Sequence, residues 1–262
     1  MGPARIVRVA VLVTAAMALP TLSRAEVVLQ YDVRYGPLTV LAVQARAEVT
    51  AAQYRASTEM QTVGVVGVLF PWTSTATSVG RIAGPDWRPA RHRVEGTYRS
   101  ARRLVEIDYG PAGPERALVE PPPADDWRTV VPEELQRATI DPLTASLAAA
   151  RAPCDRTLAV FDGRRRYDMH LRPLESAPPP DLIASVDGGP PRGCRATIEA
   201  LAGFWRTDPR TSETPTYLDF WVATPKADVG PVPVYLHLSG PAGALDIRLT
   251  NAARAVPSLP PG

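Results

Sequence analysis

VVLQYDVRYGPLTVLAVQARAEVT, from Val27 to Thr50, alternates apolar and polar side chains on both sides of a Gly-Pro pair. A period of two residues is typical of a β-strand with one buried face. The apolar residues fall on odd positions from Val27 to Tyr35, and again from Leu41 to Val49. The stretch therefore predicts two antiparallel strands, joined at Gly36 and Pro37, that share one dry face.

The same alternation returns along the chain, and counting its runs predicts about ten strands. Clear examples are AQYRASTEMQT (52–62), RRLVEIDYG (102–110), YLDFWVAT (217–224), VPVYLHLS (232–239) and ALDIRLT (244–250). A curved antiparallel sheet of this size must cover its dry face by closing on itself or by folding around a helix. We expect a mainly β fold: a curved meander that forms an open or partly closed β-barrel, with one or two short helices and one of them at its mouth.

Local signals predict turns and one helix. The tetrapeptide Gly-Pro-Ala-Gly occurs at 110–113 and 240–243, each time directly after a predicted strand. Proline second and glycine fourth suit a turn, whereas a phosphate-binding loop would need a helix to follow. Asp141 as N-cap and Pro142 at the first helical position predict a short helix that runs through Ala150.

The stretch AVFDGRRRYDMHL, from Ala159 to Leu171, sets three arginines beside an Asp-Gly pair. Asp162 and Gly163 between two alternating runs are a strong hairpin signal, and a two-residue loop would pair Phe161 with Arg164. We expect a hairpin turn whose arginines are solvated or pair with acids. A local contact to an anion or a head group is the alternative.

The first 25 residues predict an export signal. Arg5 and Arg8 precede an apolar run from Val9 to Leu19, and small residues lead up to Ala25. Such a segment is typical of a secretory signal peptide, and its apolar run is too short to span a bilayer. We expect cleavage after Ala25, no transmembrane anchor and a periplasmic location, with the extracellular medium as the alternative.

Cleavage would leave a near-neutral chain, expected to be one β-rich domain over residues 26–254 with a disordered tail at 255–262. The whole chain carries a formal net charge of +2, but residues 1–25 hold three arginines and no acid, so 26 basic and 27 acidic residues remain. A neutral surface has no basic field to attract nucleic acid. We therefore expect no nucleic-acid partner.

The two cysteines, Cys154 and Cys194, predict a disulfide, because a pair of thiols exported to an oxidising compartment is normally bonded. A catalytic thiol would need a nearby base and an unpaired partner. The bonded pair is the favoured interpretation.

Motifs of catalysis are absent from the sequence: it has no HExxH, no GxSxG and no Walker or dinucleotide signature. His92, His170 and His237 are far apart and fall by parity on polar, solvent-facing sides of strands. We therefore predict no catalytic residue, no metal site and no cofactor, and we favour a protein that is not an enzyme, with an enzyme as the open alternative.

The most apolar stretch is TVGVVGVLFPW, residues 62–72, in which eight successive apolar residues precede Pro-Trp. It predicts either a helix or turn buried under the sheet, which we favour, or an exposed apolar lip of a cavity. In the second case an apolar ligand would contact its larger side chains: Val63, Val66, Leu69, Phe70 and Trp72.

Several segments, in order, resemble the bacterial family known as domain of unknown function 3108. They are YDVRYG (31–36), the apolar segment before Pro-Trp, PPPADDWRTVVP (121–132), TIDPLTASL (139–147), CDRTLAVFDGRRRYDM (154–169) and CRATIEALAGF (194–204). The resemblance covers most of the chain beyond residue 25. It implies an exported bacterial protein, a single β-rich domain, and no established activity, cofactor or catalytic residue.

Three functions remain open. The first is a non-catalytic binder or carrier of an apolar ligand, such as lipid, in the concavity of the barrel. The alternative is an envelope scaffold or protein-interaction module that binds another envelope protein through a sheet edge or proline-rich loop. The third is a hydrolase without a recognisable motif, whose site is assembled from distant residues.

Overall fold

The computed structural model of the chain describes residues 26–98, 101–123, 128–179, 182, 189–205, 217–241 and 243–255. The predicted signal peptide and residues 256–262 of the predicted tail lie outside these ranges. The described residues form one antiparallel sheet of 13 strands with three short helices. The mainly β fold is as predicted, but the count of about ten strands was too low.

The first seven strands form a meander, interrupted by one helix. They are β1 (Glu26–Tyr35), β2 (Leu38–Val49), β3 (Gln53–Thr62), helix α1 (Gly64–Leu69), β4 (Trp72–Ala83), β5 (Asp86–Tyr98), β6 (Ala101–Gly110) and β7 (Gly113–Glu120). In β1 the odd positions Leu29, Tyr31 and Val33 are buried, as the alternation predicted.

Two helices precede the last six strands. These elements are α2 (Glu133–Gln136), α3 (Pro142–Arg151), β8 (Arg156–Phe161), β9 (Arg166–Pro173), β10 (Arg192–Ala202), β11 (Tyr217–Ala223), β12 (Val232–Gly240) and β13 (Gly243–Ala255). The sheet order is β7-β6-β5-β4-β3-β2-β1-β13-β12-β11-β10-β9-β8. Strand β13 pairs with β1, so the two meanders join into one sheet with β7 and β8 at its edges.

The sheet curves until its edges approach each other without pairing, which makes the barrel an open one. Ile107 on β6 and Phe161 on β8 share one apolar cluster with Val131, although their strands lie at opposite ends of the sheet order. Within the described residues, β7 and β8 form no ladder with each other. Instead the segment before α3 lies between them, and Ile140 bridges to Val160 on β8.

Helix α3 fills the concave side. Asp141 is its N-cap and accepts hydrogen bonds from the N–H groups of Leu143 and Thr144, as predicted. The helix contacts β3, β4 and β5 on one side and β8 and β12 on the other, so it packs inside the barrel rather than at its mouth. Its buried residues Ala145, Ala148 and Ala149 are small, which lets the helix approach the sheet closely.

Strand β4 lies in a region where the alternation predicted no strand. In β4 the inward positions are Ser74, Ala76 and Ser78, all buried, while the outward positions carry threonines. A period-two hydrophobic pattern is invisible when the inward side chains are this small. The threonines favour a strand because β-branched residues fit a pleated surface.

The two Gly-Pro-Ala-Gly segments are hairpin turns, as predicted. Gly110 pairs with Gly113 between β6 and β7, and Gly240 pairs with Gly243 between β12 and β13. Gly113 has a φ of 123°, a conformation that favours glycine. A strand follows each turn, so neither segment has the loop-to-helix form of a phosphate-binding loop.

The hairpin of β8 and β9 forms at Asp162 and Gly163, but its register differs from the prediction by two residues. Phe161 pairs with Arg166, which leaves a four-residue loop. The Asp162 carboxylate accepts hydrogen bonds from the N–H groups of Arg164 and Arg165, and Asp162 N–H donates to the Arg165 carbonyl. These bonds close a wider turn, and a shift of two residues preserves the predicted alternation along both strands. Arg166, which was expected on the solvated face, is nevertheless buried and donates to Asp168.

Cys154 and Cys194 form the predicted disulfide, with their Cα atoms 5.6 Å apart. Both cysteines belong to the core cluster around α3. The bond joins the start of β8 to β10. In the described part of the chain no helix is long and apolar enough to cross a lipid bilayer.

Candidate functional site

A cavity of about 490 Å³ lies on the concave side of the sheet, next to the N-terminal turn of α3. Its walls are the inward side chains of β3 to β6, the first residues of α3, and the loop between β8 and β9. The lining is mainly apolar, and its members include Met60, Trp72, Ala76, Val94, Leu104, Val105 and Leu143. Small-molecule sites typically enclose about 300 to 1,000 Å³ and are mostly apolar with a few polar groups.

The cavity exists because small residues alternate along the strands behind it. Ser74 and Ala76 on β4 and Gly96 on β5 face it, and each is opposite another lining residue in the register. A Cβ at Gly96 would lie 2.5 Å from the Thr73 carbonyl oxygen, so only glycine fits there. These short side chains leave space between the sheet and the tip of α3.

A buried polar cluster lies behind the inner end of the cavity, and His92 is its member that lines the wall. The Asp141 carboxylate is fully buried and accepts a hydrogen bond of 2.7 Å from the Ser78 hydroxyl. The Thr144 hydroxyl donates to its other oxygen at 2.5 Å, and Tyr54 bonds Thr144 at 2.6 Å. His92 Nδ1 lies 3.1 Å from Asp141 Oδ1. Burial alone would raise the pKa of Asp141, but the hydrogen bonds from His92, Ser78 and Thr144 outweigh it and hold that pKa below its usual value.

The position of His92 corrects a prediction: the ring is 1% exposed and is not solvent-facing. Its side chain points inward from β5 because His92 pairs with Ser78 of β4 on the concave face. Since Ser78 gives its one hydrogen to Asp141, the facing Nδ1, 2.8 Å from the Ser78 oxygen, must carry a proton. In the tautomer whose single proton is on Nδ1, the lone pair is on Nε2.

The Ser78, His92 and Asp141 cluster does not have the connectivity of a hydrolase triad. In a triad the serine and the aspartate bind opposite nitrogens of the histidine. Here both contact Nδ1, and the Ser78 hydroxyl donates to the carboxylate. The cluster holds the start of α3 against the sheet. The described residues contain no group of three or more His, Cys, Asp or Glu side chains that could hold a metal ion.

The arginines of the β8–β9 loop lie on the opposite wall. Arg164 and Arg165 line the cavity together with Arg103 of β6. Arg165 Nε donates to Asp162 at 2.7 Å, and Arg164 Nη2 donates to the Glu120 carbonyl at 2.8 Å. Arg164 therefore ties the loop to the last residue of β7, across the gap between the two edges of the sheet.

The predicted apolar segment forms α1, and the favoured interpretation that it is buried was wrong. Val65, Val68, Leu69 and Phe70 are 64 to 82% exposed. The helix follows β3 at the end of the sheet and contacts only β2 and β3 appreciably, so no element covers its outer side in the described structure.

The five residues predicted to bind a ligand separate in the structure. Trp72 lines the cavity, while Val63, Val66, Leu69 and Phe70 belong to α1 or its ends and do not line it. Sequence reasoning missed the other walls, because β4 was not recognised as a strand. Threonine alternates with serine or alanine along β4, and this alternation was the sequence signal that could have identified the strand.

Comparison with known proteins supports the family resemblance. A beta-barrel-like protein of the domain of unknown function DUF1849 from Brucella abortus, known from its crystal structure, is similar at a TM-score of 0.49 and 7% identity, covering 88% of this chain and 97% of that one. No curated protein matches the chain. The model of the family described as protein of unknown function DUF3108 matches residues 30–249. The chain therefore belongs to the DUF3108 family.

Proposed function

We propose that the protein binds an apolar ligand, such as lipid, in the cavity between β3–β6 and α3, and that it acts as a binder or carrier without catalysis. The single observation that carries this proposal is the apolar lining of a cavity of about 490 Å³. Sites for small molecules are typically concave, mostly apolar and of this size.

The arrangement of the walls supports a carrier rather than a rigid structural void. One wall is the continuous sheet, and the other consists of the tip of α3 and the β8–β9 loop. Trp72 stands where β4 begins, near the end of the sheet, whereas His92 and Ser78 lie midway along their strands. A ligand would enter beside Trp72 and extend inward.

Native mass spectrometry with lipid extraction tests the proposal on the exported form of the protein. We expect a stoichiometric apolar molecule to copurify. The variant Ala76→Phe fills the cavity and should lose this molecule. Thr77→Phe is the matched control, because it adds the same ring to the outer face of the same strand and should retain it. Loss in both variants, or a ligand-free wild type that takes up no lipid, would contradict the proposal.

We also propose that the protein is exported to the periplasm. The support is the buried Cys154–Cys194 disulfide, which is typical of an oxidising compartment. N-terminal sequencing of the protein from a periplasmic fraction should begin at Glu26. A full-length chain retained in the cytoplasm would exclude export.

The exposed surface of α1 favours a second candidate function, the binding of another envelope protein. Its four exposed apolar side chains form a compact surface at one end of the sheet. A photo-crosslinker placed at Val68 should then capture one specific protein. Capture that persists in Ala76→Phe would separate this function from ligand binding.

A further inference from the structure

His92 is an unusual group in the cavity wall. The side chain lines the cavity and is almost completely buried, yet its Nε2 has no hydrogen-bond partner in the described structure. A buried polar atom without a partner is destabilising, and native proteins satisfy most such atoms. The unpartnered nitrogen therefore needs an explanation of its own.

The position of the proton on the ring decides whether Nε2 needs a hydrogen-bond donor or a hydrogen-bond acceptor as its partner. Asp141 and Ser78 require the proton to be on Nδ1, as the hydrogen-bond directions above establish. With its single proton on Nδ1, the imidazole presents a lone pair at Nε2, which only a hydrogen-bond donor satisfies. Asp141 faces Nδ1 and therefore favours this tautomer over the one whose proton is on Nε2.

The length and the apolar lining of the cavity restrict the chemistry of the part of the ligand that lies beyond its donor group. From Ala76 to Trp72 the wall runs four residues along β4, or about 13 Å at the rise of a strand. Met60, Val94 and Val105 along this path are apolar. A ligand that fills this path and also reaches His92 therefore carries an apolar chain behind its donor group.

We propose that His92 recognises the head group of a single-chain amphiphile, whose O–H group donates a hydrogen bond to Nε2 while its hydrocarbon chain lies along β4 toward Trp72. The inference rests on the proposed function, because it names the class of ligand for the same cavity. A fatty alcohol has this chemistry. A carboxylate has no proton to donate, and it would be attracted to Arg103, Arg164 and Arg165, which also line the cavity.

NMR of the delipidated full protein tests the proposal with three probes: 1-dodecanol, its methyl ether and dodecanoate. We expect dodecanol to bind about tenfold more tightly than the ether, which lacks the donor and thus one buried hydrogen bond. The ¹⁵N chemical shift of His92 Nε2 should change with dodecanol alone. His170 and His237, which lie on the exposed side of the sheet, are internal controls.

The outcomes separate this inference from the proposed function. Equal affinity for the alcohol and the ether, with no shift at His92, would overturn the role of His92 while leaving an apolar ligand in the cavity. Binding of dodecanoate alone would also overturn it and assign recognition to the arginines. If none of the three probes binds, both the head-group role and the proposed function are wrong for single-chain ligands.

Discussion

Replacing Asp141 with alanine should be among the most destabilising single changes in the protein. The carboxylate caps α3 and at the same time accepts hydrogen bonds from side chains on the sheet and on the helix. Its removal detaches the first turn of α3 from β4 and β5. The helix is the element that fills the barrel, so the damage reaches the core.

The magnitude follows from the contacts. Loss of an N-cap alone costs about 1 kcal/mol, within a range of about 0.5 to 2. The change also leaves the Ser78, Thr144 and His92 donors in a buried site, and each unsatisfied buried donor costs about 1 to 3 kcal/mol. Ser78 and His92 can still bond to each other, which limits the total. We expect Asp141→Ala to lower the free energy of unfolding by about 3 to 5 kcal/mol.

Urea unfolding with the disulfide intact measures this loss. Asp155→Ala is the control, because Asp155 makes only an exposed ion pair with Arg172 and should change stability by less than about 1 kcal/mol. A loss of only about 1 kcal/mol in Asp141→Ala would refute the reasoning, because that is the value of a cap without the buried cluster.

The same residue predicts a pH dependence. Its pKa is lower in the folded protein than in the unfolded chain, where an aspartate titrates near about 3.9. The stability that it contributes is therefore present above this unfolded value and is lost as the pH falls through the folded pKa. Unfolding free energies measured from pH 7 to pH 2 should fall more steeply in the wild type than in Asp141→Asn, and parallel curves would contradict the prediction.

Three further changes test the fold. Replacing Cys154 and Cys194 with serine should lower the free energy of unfolding by about 3 to 4 kcal/mol, measured by urea unfolding, since the bond closes a long loop. Gly163→Ala should cost about 1 to 3 kcal/mol, because φ is +87° and a Cβ would overlap Val105; an unchanged thermal midpoint would contradict this. Val68→Asp, at an 82% exposed position, should change the free energy of unfolding measured in urea by less than about 0.5 kcal/mol.

The strands that the sequence predicted are those with large inward side chains. In β1, Leu29, Tyr31 and Val33 show their buried face by size alone. In β4 the inward residues Ser74 and Ala76 are small, so their size does not mark a buried face. What identifies β4 is its pairing with β3 and β5, which depends on residues distant in the sequence.

The candidate site was less predictable than the fold, because its groups meet only through the curvature of the sheet. The helix start at Asp141 followed from local capping rules. Its partner Ser78 lies 63 residues earlier, and no local signal links the two. His92 was assigned to a polar face from its position in the alternation alone. Polar residues, among them Arg91 and Arg93, occur on both faces of β5, so the sequence of this strand does not reveal which face is buried.

The apolar segment before Trp72 shows a different limit. Hydrophobicity predicts burial on average, but α1 lies at an open end of the sheet, where nothing covers it in the described structure. Its sequence does not reveal which end of the barrel it would occupy.

The most direct test of ligand binding is a crystal structure of the protein purified with the lipids of its host. We expect continuous elongated density in the cavity, from Trp72 to a polar end within hydrogen-bonding distance of His92 Nε2. A cavity that is filled by the protein's own side chains, with Trp72 folded inward and no ligand density, would contradict it.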